Sequence, residues 1–425
     1  MEVMLGYKQT EMGIIPEDWT VTTVGQLVHD GVLEKPLDGN HGNIHPKSGD
    51  FVSFGIPFVM ANNIRGGRVD LNSCSFIRKE QADSLQKGFS IPGDVLLTHK
   101  ATIGNTAVVD EIPFEYIMLT PQVTYYRVSD LKSLSNFYLR HFFDSPTFQR
   151  VLISMSGGGT RSYIGITAQL QLPIVLPPAR KEQEAIATAL SDVDALITSL
   201  DKLIAKKYAI KTATMQQLLT GKKRLPGFSG EWEMKVLGDV ASFHKGKGLA
   251  KSELDPHGSE PCIHYGELFT RHPETISTIL SWTNSTSGVF RSVANDVLMP
   301  TSDVTPTGLA KASCVLQSGI VLGGDILVIR TDPKELSGSF LSYTIRQSRD
   351  RVMQLVTGTT VFHLYGSDMQ KFEFLMPVLE EQQAIVEVLS DMAAEVTALE
   401  SRRDKTKAIK QGMMQELLTG RTRLI

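Results

Sequence analysis

Apolar side chains recur at alternating steps of four and three residues in the middle of the chain. The positions are Ile186, Leu190, Val193, Ile197, Leu200 and Ile204. This spacing is typical of the seam along which one helix packs against another in a coiled coil. The pattern returns near residue 400, at Ile385, Leu389, Met392, Val396 and Leu399, before Arg403 replaces the next apolar residue. The pattern therefore predicts two long helices, with a looser seam or a partner contact at Arg403.

Both helices lie in a repeated segment. Residues 178–225 align with residues 377–424 without a gap, and 23 of these 48 pairs are identical. A proline opens each segment, where a missing N–H costs nothing, and a glycine typical of helix ends lies close to each end. At ~1.5 Å per residue, about 40 residues form a helix of about 60 Å. We expect the two helices to pack on each other as an antiparallel coiled coil.

The segments between the helices show mixed α/β patterns. Short β-branched runs predict strands at Asp94–Thr98, Val123–Val128 and Gly324–Arg330, and amphipathic runs predict helices at Asn136–Phe143 and Ser339–Gln347. The two segments also match faintly, since Trp19 and Gly25 correspond to Trp232 and Gly238. The predicted fold class is α/β (α+β) with pseudo-two-fold symmetry. Its parts are two globular domains (1–177 and 226–376), each followed by a long helix (178–225 and 377–425).

Composition restricts the class of protein. The 425 residues are 41% hydrophobic and 21% charged, as in an ordinary globular protein. The three widely spaced cysteines suit a reducing compartment, and neither a secretory signal nor an apolar run of membrane-spanning length is visible. We therefore expect a cytoplasmic protein. The net charge of −3 is low for a nucleic-acid binder, so a DNA ligand requires concentrated positive charge or a partner that supplies it.

No catalytic motif is visible in the sequence. Lys245–Gly248 lacks the spacing of a phosphate-binding loop, and Cys262 with His264 has no second pair to complete a zinc site. There is no nucleophile elbow, dinucleotide fingerprint or helical metalloprotease motif. The absence of these motifs predicts a binding protein and not an enzyme.

Several motifs occur twice, at the two domain openings and at the two helix ends. The openings are Gly13-Ile14-Ile15-Pro16-Glu17-Asp18-Trp19 and Gly227-Phe228-Ser229-Gly230-Glu231-Trp232, and both helical segments close with Leu-Leu-Thr-Gly-x-x-Arg-Leu. Glu182-Gln183 and Glu381-Gln382 mark the two helix entries. In this combination, which spans the full chain, the sequence closely resembles the specificity subunit of type I restriction-modification enzymes.

The resemblance implies a division of labour. Each globular domain is expected to be a target recognition domain that reads one half of a bipartite, asymmetric DNA site. The helices are expected to set the spacer and to dock two methyltransferase subunits, and two restriction (translocase) subunits complete the assembly. S-adenosylmethionine, ATP and Mg are expected in those partners, with no cofactor and no metal in this chain.

Polar and basic loops that follow predicted strands are the candidate DNA contacts, because such side chains read base edges and hold phosphates. In the first domain they are Asn62, Asn63, Arg65, Arg68, His99, Lys100, Thr102, Arg161 and Tyr163. In the second they are His264, Tyr265, Thr301, Ser302, Lys311, Thr359, Thr360, His363 and Tyr365.

Two other functions are compatible with the pattern. One is a non-catalytic coiled-coil scaffold that presents two protein- or glycan-binding domains. The near-neutral charge favours it, while the absence of a secretory signal and the matched basic loops disfavour a glycan ligand. The other is a solitary anti-restriction decoy or a relic without partner subunits. A salt series of DNA binding separates a DNA reader from a scaffold.

Overall fold

Two compact units make up the computed structural model, which describes residues 5–157 and 162–424. The first unit consists of Met1–Leu203 and Glu400–Ile425, and the second of Ile204–Leu399. Each long helix therefore contributes its beginning to one unit and its end to the other. Below, domain 1 denotes the described residues up to 177, and domain 2 denotes residues 226–376.

Twelve α-helices occur among the described residues, ten of them short. Domain 1 contains α1 (Val24–His29), α2 (Lys79–Asp83), α3 (Asn136–Asp144), α4 (Pro146–Met155) and α5 (Ile166–Gln169), and α6 (Arg180–Leu218) follows it. Domain 2 contains α7 (Leu237–Val240), α8 (Glu267–Thr270), α9 (Gly338–Gln347), α10 (Arg349–Met353) and α11 (Gly366–Met369), and α12 (Leu379–Leu417) follows it. The two long helices have 39 residues each and lie within the predicted helical segments.

Domain 1 is built on short strands in several small sheets. The strands are β1 (Tyr7–Thr10), β2 (Gly13–Pro16), β3 (Thr20–Thr23), β4 (Leu37–Asp38), β5 (Phe51–Val52), β6 (Ile56–Val59), β7 (Ile64–Arg65), β8 (Arg68–Val69), β9 (Ser75–Ile77), β10 (Phe89–Ser90), β11 (Val95–Lys100), β12 (Thr102–Val108), β13 (Ile117–Leu119), β14 (Val123–Tyr126) and β15 (Pro173–Leu176). A five-stranded sheet has the order β10-β13-β6-β9-β5, and a four-stranded sheet has the order β12-β11-β14-β4. The pairs β1-β2, β3-β15 and β7-β8 complete the domain.

Domain 2 repeats this plan with different strand lengths. Its strands are β16 (Glu233–Val236), β17 (Ala241–Lys245), β18 (Glu260–Ile263), β19 (Thr275–Ile276), β20 (Ser281–Thr283), β21 (Phe290–Arg291), β22 (Val297–Pro300), β23 (Ser302–Asp303), β24 (Ser313–Val315), β25 (Val321–Leu322), β26 (Ile326–Thr331), β27 (Phe362–His363) and β28 (Glu373–Met376). The sheet orders are β17-β26-β22-β24-β19 and β20-β18-β25-β21, with the pairs β16-β28 and β23-β27. The predicted strands and short helices therefore occur as β11, β14, β26, α3 and α9.

The repeated Glu-Gln pair at each helix entry fastens a domain to its long helix. The side chain of Gln183 accepts the Ser135 N–H at 3.0 Å and donates to the Ser133 carbonyl at 3.1 Å. Gln382 makes the same two bonds in unit 2, to the Ser337 N–H at 2.9 Å and to the Glu335 carbonyl at 3.0 Å. Both amides are buried, and a buried amide with satisfied hydrogen bonds fixes the orientation of what it joins.

The preceding glutamate of each pair holds the end of the other long helix. In unit 2, Nε and Nη2 of Arg224 each lie 2.6 Å from the Glu381 carboxylate, and the guanidinium lies 5.5 Å above the Trp232 ring. In unit 1, Arg423 pairs with Glu182 in the same bidentate manner and lies 5.7 Å above the Trp19 ring. Planar arginine matches both a carboxylate and an aromatic face, which explains the repeated Trp, Glu-Gln and Arg-Leu motifs.

Within each unit the beginning of one long helix packs against the end of the other. In unit 1, Ile186 and Leu190 of α6 share a core with Met414, Leu417 and Leu418, at the C-terminal end of α12. In unit 2, the corresponding core joins residues 385 and 389 of α12 to residues 218 and 219. This start-to-end pairing is the predicted antiparallel arrangement.

Arg403 occupies the seam position where the pattern leads one to expect an apolar residue. Its guanidinium lies 3.6 Å from the Asp201 carboxylate. Because the pair is partly exposed, it contributes little to stability.

Both domains share a buried ion pair beside their central strand. Asp94 accepts two hydrogen bonds of 2.8 Å from Arg127, and Asp296 accepts two of 2.8 Å from Arg330. Both carboxyl groups are buried.

The faint sequence match between the two domain openings also has a structural basis. The backbone N–H of Gly25 donates to a carbonyl in the segment that precedes β15, and the N–H of Gly238 donates to a carbonyl in the segment that precedes β28.

Candidate nucleic-acid interface

Two predicted loops of domain 1 meet at the end of its central strand. Lys100, the last residue of β11, forms an antiparallel bridge with Tyr163, and its Nζ lies 5.8 Å from the centre of the Tyr163 ring. Ala101 at the following turn has a φ of 67°, which reverses the chain tightly before Thr102 opens β12. Lys100, Thr102 and Tyr163 are all exposed. The structure thus brings a cation, a hydroxyl group and an aromatic ring together at one edge.

His99 lies beneath this edge and is fully buried, so its prediction as a surface contact is corrected. Its Nδ1 is 2.8 Å from the Ile164 carbonyl, and its ring is 5.5 Å from the Tyr163 ring. Burial lowers the pKa of His99, which keeps the ring neutral near pH 7. With a neutral ring, Nδ1 carries the proton that the carbonyl accepts. His99 therefore holds the Tyr163 segment in place and does not offer its own edge to a ligand.

A groove of about 510 Å³ beside Lys100 contains residues that the sequence reasoning missed. His41, His45, Lys47 and Gln122 line it together with Lys100, over an apolar floor that includes Phe58. The signal was present in the sequence as two histidines and a lysine within seven residues, 41–47. It was missed because that segment follows no strongly patterned strand.

The loop that carries His41 is fixed by a buried carboxylate. Asp38 hydrogen-bonds to His41 Nε2 at 2.7 Å and to Lys87. Burial raises the pKa of Asp38, but the hydrogen bonds from Lys87 and His41 outweigh it and hold the pKa below its ordinary value. The ionised carboxylate orients His41 at the mouth of the groove. The groove wall is thus held in place before any ligand binds.

The loop at 62–68 includes a hairpin, β7-β8, that packs on β12. Asn63 is buried and donates to the Ser73 carbonyl at 3.1 Å, so its prediction as a DNA contact is corrected. Asn62, Arg65 and Arg68 are exposed, and Arg65 Nε donates to the Asn62 carbonyl at 2.8 Å. These three side chains remain available at the surface.

Domain 2 repeats the same backbone juxtaposition with other side chains. Ser302 pairs with His363 across β23-β27, and the Leu364 N–H donates to the Thr301 carbonyl at 3.0 Å. The rings of His363 and Tyr365 stack at 5.8 Å with an interplanar angle of 10°. These contacts occupy the place that Lys100, Tyr163 and His99 occupy in domain 1.

The remaining predicted residues differ in how far they are exposed to solvent. Thr359 and Thr360 are exposed at the tip of the turn before β27, while Thr301 is 6% exposed, which corrects its prediction as a surface contact. The rings of His264 and Tyr265 lie 4.7 Å apart at the start of α8. Lys311 is half-buried beside Ala312, whose carbonyl accepts from Arg346. Arg161 lies outside the described residues.

These surfaces offer hydrogen-bond donors, imidazole and phenol rings and few cations. Such groups can bond to base edges, stack on bases and hold a small number of phosphates. Within residues 5–157 and 162–424, no three His, Cys, Asp or Glu side chains are placed to hold a metal ion. No helix in that part of the chain has the length and apolar character needed to cross a membrane.

A protein-family model decides the affiliation. The model for the type I restriction modification DNA specificity domain matches residues 16–207 and again residues 229–411. The chain belongs to this family. Each match covers one globular domain except its first residues, and at least the first half of the long helix that follows it. This specificity subunit therefore carries two DNA-recognition domains, and the family match supports this function over the coiled-coil scaffold.

Three type I restriction-modification proteins match this chain over nearly its full length. The type I restriction enzyme StySPI specificity subunit of Salmonella potsdam is 23% identical over 434 residues, which cover 96% of this chain and 89% of that protein. The crystal structure of the S subunit of a type I restriction-modification system from M. genitalium has a TM-score of 0.60 at 13% identity, and the match covers 94% of this chain and 96% of that one. A chain from a structural study of complex assembly in the type I system has a TM-score of 0.55 at 17% identity and covers 96% of this chain.

Proposed function

We propose that this specificity subunit is non-catalytic and that each domain reads one half of a bipartite, asymmetric DNA site. In this proposal α6 and α12 set the gap between the half-sites and dock two methyltransferase subunits, and two restriction subunits join them. S-adenosylmethionine, ATP and Mg are bound by those partners, and the assembly works in the cytoplasm. The chain itself supplies only the recognition of the DNA sequence.

One observation carries the proposal of unlike half-sites. The two domains share a strand-end juxtaposition, but one presents Lys100 and Tyr163 where the other presents Ser302 and His363. A lysine donates to guanine O6 and N7 or to phosphate, whereas serine and histidine bond to several base edges. A common frame with different side chains is the arrangement expected for two readers of different sequences.

The low positive charge supports a role for partners in DNA binding. The net charge is −3, and the groove beside Lys100 is lined by only a few basic groups. Phosphate contacts supply a large share of the affinity of DNA-binding proteins, and the strongest of them come from Lys and Arg side chains. We infer that a methyltransferase partner supplies many of these contacts and that the isolated chain binds DNA weakly.

Co-expression with the product of the adjacent methyltransferase gene tests the proposed function. Adenine methylation mapped across the host genome is expected at one motif with two unlike half-sites at a fixed gap. Co-purification of the two proteins is expected alongside. A palindromic motif, or a stable complex that methylates no adenine, contradicts the proposal.

The substitution Lys100→Ala tests the candidate interface of domain 1. We expect the affinity of the complex for its DNA site to fall and the slope of log K against log salt to shrink by about 0.9, because one phosphate contact is lost. Lys132→Ala is the matched control, since Lys132 is exposed in the same domain but lies next to the entry of α6. Equal effects of the two variants would refute a specific role for Lys100.

A further inference from the structure

A cluster of four charged side chains, one buried and three partly buried, joins domain 1 to both long helices in unit 1. Arg140 of α3 is 5% exposed and donates to Asp194 of α6 at 2.6 Å and to Asp144 at 3.0 Å. Lys410 of α12 lies 2.7 Å from Asp194 and 3.5 Å from Asp144. Two cations thus neutralise two carboxylates. We call these four residues the domain 1 charge cluster.

The surroundings leave little freedom to the domain 1 charge cluster. Gly67, at the turn of β7-β8 with a φ of 80°, lies so close that a Cβ there would be 2.1 Å from Arg140 Nη2. His141 bonds to Ser191 of α6 at 2.9 Å, and burial together with the Arg140 charge lowers its pKa to about 3, so it adds no charge. The Arg140 guanidinium is enclosed and depends on the carboxylates around it.

Unit 2 has the same frame with a different distribution of charge. The helix N-caps Ser135 and Ser337 are equivalent, because the N–H of each donates to the side-chain oxygen of the entry glutamine of its long helix. By this alignment Arg140 corresponds to Ser342 and Asp144 to Arg346, while Asp194 corresponds to Ala393 and Lys410 to Lys211. The lysine is common to both units, and the helix carboxylate exists in unit 1 alone.

In unit 2 the domain itself provides the carboxylate for the shared lysine. Glu274 lies 3.5 Å from Lys211 Nζ and 3.8 Å from Arg346 Nη1. Ser342, at the position of Arg140, is buried and donates to the Glu274 carbonyl at 2.7 Å. Domain 2 therefore brings its own partner for the helix lysine. Domain 1 brings one carboxylate, Asp144, for two cations, Arg140 and Lys410, and the helix supplies the second carboxylate.

We propose that Asp194 assigns domain 1 to its own position in the chain, and so disfavours rearranged chains in which domain 1 takes the second position and its half-site is read at the other end. Domain 1 in the second position would place the buried Arg140 against Ala393, with Asp144 and Lys211 nearby and a net positive charge. A buried cation that loses one of its two carboxylate partners is destabilised, because the remaining carboxylate no longer balances the charge. The consequence for half-site order depends on the proposed function, but the assignment itself does not.

Thermal unfolding of four full-length proteins tests the contact: wild type, Asp194→Ala, Arg140→Ser and the double variant. The substituted residues are those that unit 2 carries at the same positions. We expect Asp194→Ala to lower the Tm of the unit 1 transition by about 5–10 °C and Arg140→Ser to lower it less. The double variant should lose clearly less than the sum of the two. The control Asp192→Ala removes an exposed carboxylate of the same helix and should shift the Tm by under about 2 °C.

A chimeric protein tests the assignment directly. Residues 13–177 replace residues 226–376, so that the chain carries domain 1 twice, with or without Ala393→Asp. In this chimera, we expect Ala393→Asp to raise the Tm of the second unit. In the wild-type chain, the same substitution should lower the Tm of the second unit or leave it unchanged. Strict additivity in the first experiment, or no gain from Ala393→Asp in the second, would overturn the proposal. Both readouts are independent of DNA, so a failure of the proposed function would leave them intact.

Discussion

Replacing residues 226–376 by the corresponding domain of another family member should change one half of the methylated motif and leave the other half unaltered. The two domains share a frame but expose different side chains at the same strand end, as Lys100 and Ser302 show. Base choice depends on such side chains, because each base pair presents its own pattern of donors and acceptors in the major groove. The measurement is methylation mapping of the chimera in complex with the same methyltransferase partner.

A matched control and one contradicting outcome define this exchange. The reciprocal replacement of the first domain should change the opposite half-site and retain the gap. A chimera with both half-sites changed would refute independent readout by the two domains. Gln382 and the pair of Arg224 with Glu381 must be retained, since they fasten domain 2 to its helices within unit 2. A chimera that keeps these contacts and still does not fold has been joined at unsuitable residues. Circular dichroism detects this before any methylation is mapped.

The strongly periodic parts of the fold could be predicted from the sequence because their signals are local. The heptad-like spacing predicted α6 and α12, and the β-branched runs predicted β11, β14 and β26. The repeat placed a Glu-Gln pair at each helix entry. The bonds of Gln183 and Gln382 to the N-caps of α3 and α9 give that repetition a physical reason, since a buried amide must satisfy its hydrogen bonds.

The candidate site was predictable only in part, because the position and burial of a loop residue depend on contacts with residues far away in the sequence. Lys100 and Tyr163 were both expected, but their apposition depends on a pairing between residues far apart in the sequence. Polarity suggested that His99 and Asn63 faced solvent, whereas hydrogen bonds to distant carbonyls bury them. The histidines at 41 and 45 went unnoticed because the Asp38 carboxylate that orients their loop is recognisable only in three dimensions.

A four-residue duplication in a long helix should lengthen the preferred gap between the half-sites by about 1–2 base pairs. Four residues add ~6 Å to a helix, and successive base pairs are ~3.4 Å apart. Duplication of residues 200–203 in α6 is suitable, because a four-residue stutter keeps the seam apolar while it locally unwinds the coiled coil. Selection of binding sites from random DNA, with the methyltransferase partner present, measures the gap.

The same four residues inserted after Gly227 provide the control for this duplication. Gly227 lies in an exposed segment between α6 and β16, where added residues leave both long helices unchanged. The control should keep the native gap, while the α6 duplication shifts it and leaves each half-site sequence as it was. An α6 variant that is folded, binds its partner and still selects the native gap would rule out the helices as the element that sets the spacing, because their length would then have no effect on the DNA that the subunit recognises.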